Sequence, residues 1–121
     1  MNTTTNDLSN SRMMVVSNEF NRIIEVLIKE YQPDKVVLFG SLAAGQVTEW
    51  SDIDLLVVKD TTKSFYERLE EVIEITQPMI GADIIVYTPE EIKQMEESSL
   101  FLVEEVLKKG RIVYDASKPM V

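Results

Sequence analysis

The chain has 121 residues, 12 Lys and Arg against 21 Asp and Glu, and a formal net charge of −9. It contains no His and no Cys, which excludes imidazole-based triads, thiol nucleophiles, disulfides and His- or Cys-ligated zinc and leaves carboxylates, hydroxyls, Lys, Arg and hard metal ions for chemistry. Such an acidic balance argues against non-specific nucleic-acid binding, so an anionic substrate has to be brought in with a divalent cation.

In chain order, residues 1–12 are polar and rich in Asn, Thr and Ser, and they read as a disordered tail. No apolar signal region follows a basic start, and the apolar runs of about four residues fall far short of the ~20 that span a bilayer. A cytoplasmic protein with no membrane partner is the expectation. A single domain is expected over 13–115, followed by a frayed end over 116–121.

Phe20, Ile23, Ile24, Leu27 and Tyr31 share one helical face, and Pro33 stops that helix. Lys35 to Phe39 reads as a buried strand ending at Gly40, and Ser41 to Gly45 suits a short helix. Gln46 to Ser51 reads as a loop, and Ile53 to Val58 as a second strand. Phe65, Leu69, Val72, Ile73 and Thr76 form a second helical face, opened by a capping box from Ser64 to Glu67. Pro78 and Gly81 break the chain before a third strand, Asp83 to Tyr87. A second capping box, Thr88 to Glu91 with Pro89 at the first helical position, starts a short helix to about Met95. A longer helix over 99–109 and a short edge strand, Arg111 to Tyr114, complete the order.

Connection lengths set strand directions. A parallel crossover usually needs a helix and a dozen or more residues, which separate strands two and three but not strands one and two. The expected fold class is therefore α/β (α+β), a mixed β-sheet of three to four strands with helices packed against it.

Three features carry chemistry. Gly40-Ser41 follows a buried strand, and its backbone N–H groups and the Ser41 hydroxyl suit phosphate oxygens. Asp52 and Asp54 alternate onto one face at the start of an apolar strand, where two anions repel unless a cation lies between them. Asp83 occupies the same place in strand three. With strands two and three parallel and strand one antiparallel, all three features meet at one end of the sheet. Three carboxylates suffice to hold two Mg²⁺ ions ~4 Å apart. Asp83 is placed to take a proton from an incoming hydroxyl.

Gly40-Ser41, then Ser51-Asp52-Ile53-Asp54-Leu55-Leu56-Val57, then Asp83-Ile84-Ile85-Val86-Tyr87, together resemble the minimal nucleotidyltransferases of the DNA polymerase beta superfamily. The resemblance spans roughly Asp34 to Asp115 and implies the nucleotidyltransferase fold. It implies Asp52, Asp54 and Asp83 as catalytic metal ligands and Gly40 and Ser41 as the nucleotide-binding turn. It also implies transfer of a nucleoside monophosphate from Mg²⁺-bound ATP or another NTP, with pyrophosphate leaving. Small members of this kind are often encoded beside a HEPN-domain toxin and act as its antitoxin. This chain departs from the family's G-S-x-A-R-G pattern: its stretch is Gly40-Ser41-Leu42-Ala43-Ala44-Gly45, without either motif arginine. Lys35, Lys59, Lys63 and Arg68 are the candidate replacements.

Alternatives stay open. One is an antitoxin that works by binding alone. Another is a small-molecule (aminoglycoside-type) transferase whose cleft is completed in a homo-oligomer. A haloacid-dehalogenase-type phosphatase is excluded, because there the apolar strand precedes the Asp pair. An EF-hand is excluded because Leu55-Leu56-Val57-Val58 replaces its further ligands. The glutamates of the later helices, Glu67 through Glu105, read as solvated faces, and Met13, Met14, Met79 and Met95 as core or interface filler. Trp50 is expected in the core or at the rim of the site.

Overall fold

The computed structural model describes residues 4–45 and 52–118, with side chains from Arg12 onward. The elements are α1 (Thr4–Val26) running into a π-helical turn (Leu27–Tyr31), β1 (Lys35–Phe39), α2 (Gly40–Ala43), β2 (Ile53–Val58), α3 (Phe65–Thr76), β3 (Ala82–Tyr87), α4 (Pro89–Ser98), a π-helix (Leu102–Lys108) and β4 (Arg111–Asp115). The sheet order is β3-β2-β1-β4. β1 runs antiparallel to β2 and β4, and β2 runs parallel to β3 across the α3 crossover. This is the expected mixed α/β sheet, with β4 at an edge.

Local chemistry sets the helix boundaries. Both capping boxes form: Ser64 accepts from the Glu67 amide while Glu67 accepts from that of Ser64, and Thr88 and Glu91 do the same. The first and third helices end on a glutamine in the left-handed region, Gln32 at φ 54° and Gln77 at φ 41°, each followed by a proline. A cation from elsewhere in the fold then satisfies the carbonyls each end leaves free. Lys59 Nζ donates to the Tyr31 and Gln32 carbonyls at 2.8 and 3.1 Å, and Arg22 donates to those of Thr76 and Gln77 at 2.8 and 3.2 Å. The Arg22 guanidinium is itself held by both oxygens of buried Glu19.

Strand alternation sorts the core into two layers. Val36, Leu38, Ile53, Leu55, Val57, Ile84 and Val86 face the first layer, where Ile23, Leu27, Tyr31 and Val72 of the α1 and α3 side cover them. Val37, Phe39 and Leu56 face the second, under Leu102 and Val106 of the π-helix, with Ile85, Ile92 and Met95 packed alongside. Asp54 lies between Ile53 and Leu55 in sequence, so it belongs to the second face, at the end where the helical cover opens.

Some expectations differ from the structure. Helical backbone begins at Thr4, inside the stretch expected as a tail. At the other end, the Ala116 amide still donates to Asp34 O at 2.9 Å, and residues 119–121 lie outside the described residues. On α3 Ile73 is exposed, whereas Arg68 is buried. The Arg68 guanidinium lies across the β3–α4 junction, donating to Val86 O and Glu91. Glu91 is therefore an ion-pair partner rather than part of a solvated face. Of the four methionines expected in core or interface, Met13, Met14 and Met79 lie outside the core and are exposed, and Met95 packs against a core cluster. The expected 46–51 loop and Trp50 lie outside the described residues. Among the described residues no helix is long and apolar enough to cross a membrane.

Candidate active site

The register of the sheet builds the site. Phe39 is opposite Asp54 across the antiparallel β1–β2 pair, and Asp54 is level with Asp83 across the parallel β2–β3 pair. The turn that follows Phe39 begins at Gly40, with φ 75°, a conformation that a side chain resists. A Cβ at Gly40 would overlap the Asp54 carboxylate, with its Cγ only 3.0 Å away. The absent side chain is thus the space that the acid occupies.

Asp52 precedes β2 and has a similar relationship to Gly81. A Cβ there would overlap the Asp52 carboxylate, with Cγ at 3.0 Å. By sequence alone Gly81 is only a chain breaker. The signal that could have revealed its second role is the matched spacing of Asp52-Ile53-Asp54 and Gly81-Ala82-Asp83, which parallel pairing sets side by side.

The three acids are not equivalent. Asp52 and Asp83 are exposed, while Asp54 is half-buried. Burial first, then the neighbouring Asp83 carboxylate and the Asp52 charge, push the Asp54 carboxyl up to about 6. The structure sets Asp54 and Asp83 level on adjacent strands, lining one cleft with Gly40. Asp52 is near enough to repel Asp54, but among the described residues no set of three acids forms a ready-made metal cage.

An acid raised in the fold holds its proton more tightly there than in the unfolded chain. Its contribution to stability is therefore full below about pH 4 and is lost as pH rises through about 6. The shift corresponds to about 3 kcal/mol at most, and solvent access to the pair lowers this to ~1–2 kcal/mol. Urea titrations of the metal-free chain from pH 4 to 7 should show this loss, and Asp54→Asn should remove it. Parallel stability–pH curves for the two proteins would contradict the assignment.

The Asp54–Asp83 pair opens into a cleft of about 610 Å³ whose walls include Phe39, Phe65, Leu69, Phe101 and Glu105. Phe101 is exposed and meets Phe39 edge-to-face at 6.4 Å. A pair of acids at the polar end of an apolar cleft suits a ligand with an anionic, cation-bound part and a flat, less polar part.

A protein-family model described as "Polymerase beta, Nucleotidyltransferase" matches residues 21–119. The chain belongs to this nucleotidyltransferase family. A relative from Methanocaldococcus jannaschii, whose name proposes a protein adenylyltransferase, is 34% identical over 86 residues, covering 64% of this nucleotidyltransferase and 85% of the relative. A crystal structure from Sulfolobus solfataricus, described as a proposed nucleotidyltransferase, is similar with TM-score 0.62 at 20% identity, covering 93% of this chain and 92% of that one. A toxin–antitoxin structure with AMP-PNP is similar with TM-score 0.51 at 22% identity, covering 81% and 73%. The two structures share the fold of this nucleotidyltransferase.

The candidate replacements for the motif arginines are not at the site. Lys35 pairs with Val58 and Asp115, at the opposite end of the sheet from Gly40. Lys59 caps the first helix, Lys63 pairs with Glu71 at 2.7 Å, and Arg68 is buried against Glu91. Their roles follow from long-range packing, which sequence spacing does not encode.

Proposed function

We propose that this nucleotidyltransferase moves a nucleoside monophosphate from Mg²⁺-bound ATP, or another NTP, to a hydroxyl of a toxin partner of the HEPN class, and thereby acts as its antitoxin. The observation that carries the reading is the placement of Asp54 level with Asp83, in one cleft with Gly40. Two neighbouring carboxylates, one of them raised, need a neutralising charge, and their oxygen donors fit a hard divalent cation. Such a cation, held by Asp54 and Asp83 with Asp52 at the rim, would supply neutralisation of the triphosphate.

The chain's own groups supply the rest. The backbone at Gly40 and the hydroxyl of Ser41 bind phosphate oxygens. Asp83, the exposed member of the pair, accepts the proton of the incoming hydroxyl. That oxygen bonds to the α-phosphorus, the bond to the bridging oxygen breaks, and pyrophosphate leaves. The cleft is open, which favours a macromolecular acceptor. The name of the archaeal relative and the toxin–antitoxin neighbour point the same way.

A binding-only antitoxin is the second reading, favoured by Leu42 and Ala44 where the family carries arginines. Incubation with α-labelled ATP, Mg²⁺ and a HEPN-class toxin as candidate partner separates the two. Transfer of label to the toxin, abolished by chelation, is expected. Neutralisation of the toxin without label would establish the binder.

A further inference from the structure

We propose that Lys109 is the triphosphate-binding cation of this chain, held in waiting by Glu105; the inference rests on the nucleotidyltransferase reading above and names the group that serves it. A hollow of about 340 Å³ beside α2 is lined by Gly40, Ser41, Ala43, Ala44, Glu105 and Lys109. The turn itself contributes no cation, because positions 42 and 44 are Leu and Ala. Lys35 lies at the opposite end of the sheet, and Lys59, Lys63 and Arg68 are engaged elsewhere. Lys109 is the cation that lines the hollow.

Its position is fixed by the backbone rather than by its own side chain. Gly110, the next residue, packs so closely on β1 that a Cβ there would lie 2.8 Å from Val37 Cγ1 and 3.0 Å from Leu38 O. This anchors the end of the π-helix against the strand that leads into Gly40. β4 then starts with Arg111 opposite Leu38, at the same end of the sheet.

Lys109 Nζ lies 3.2 Å from Glu105 Oε1, with both side chains largely exposed. An exposed pair of this kind is weak, so an incoming phosphate can take the lysine from it. Glu105 also lines the cleft that holds Asp54 and Asp83. It lines both the aspartate cleft and the lysine's hollow, and as an anion it opposes a triphosphate there. The Glu105–Lys109 contact thus occupies the lysine until phosphate oxygens replace the carboxylate.

Calorimetric titration of the full chain with Mg-ATP, and separately with adenosine, tests this without relying on turnover. Lys109→Ala should weaken Mg-ATP binding about tenfold, as expected for loss of one charge-assisted contact, and leave adenosine binding unchanged. Lys109→Arg should retain the affinity, and Glu105→Gln should tighten it severalfold. Equal Mg-ATP binding by wild type and Lys109→Ala would overturn the inference alone, as would a loss confined to Arg111→Ala. A wild-type chain that binds no Mg-ATP would overturn the nucleotidyltransferase reading together with it.

Discussion

Asp54→Asn should reduce nucleotidyl transfer by about a thousandfold or more, the scale expected when several kcal/mol of charge stabilisation are removed from a phosphoryl site. Asp54 is the acid on which the neighbouring elements converge. It is level with Asp83 on β3, opposite Phe39 on β1, and fills the space left at Gly40. The amide keeps the shape and a hydrogen-bonding oxygen but carries no charge. It therefore separates electrostatics from packing.

The same substitution should make the metal-free protein more stable near neutral pH by ~1–2 kcal/mol, because the raised carboxyl no longer has to ionise in the fold. A loss of activity combined with a gain in stability is the signature of an acid kept for chemistry at the expense of the fold. Transfer assays and urea melts on one preparation check both halves. A variant that stays active would remove Asp54 from the reaction.

Gly40→Ala should be the most damaging small substitution in the turn. The left-handed backbone at φ 75° resists a side chain, which costs roughly 1–2 kcal/mol. The new methyl also overlaps the Asp54 carboxylate, which must move. Displacement of a reacting group by about 1 Å is enough to lower a rate some hundredfold. Gly45 provides the internal comparison. It has nearly the same φ, 77°, but among the described residues a Cβ there has nothing within 4 Å. Gly45→Ala should therefore show the backbone cost alone, with transfer close to wild type. Equal activity losses in the two variants would mean that the close approach at Gly40 is unimportant.

Much of the fold was legible because its determinants are local. The two capping boxes, Pro33 and Pro78 after the helix ends, and the apolar strand runs each act within a few residues, so the order of elements could be read directly. The length of the crossovers then set strand directions, and both pairings formed as that argument required. Less legible was the helix face of α3. Arg68 at a buried position is tolerated only because Val86 O and Glu91, distant in sequence, satisfy it. The left-handed glutamines at 32 and 77 are not legible in the sequence for a similar reason. Cations from other elements complete those helix ends, and no local pattern announces them.

The linear chain by itself determined the chemical vocabulary of this protein: no imidazole or thiol, a Gly40-Ser41 turn, and acids at the starts of two apolar strands. Only the tertiary structure decided which of those acids lie side by side, because the pairing of Asp54 with Asp83 is a matter of strand register between segments separated by a helix. It also decided which cations remain near the turn, since a lysine's partner depends on what the packed neighbours offer. Periodicity and capping are short-range forces written along the sequence, whereas charge neutralisation acts across space between residues that meet only after folding.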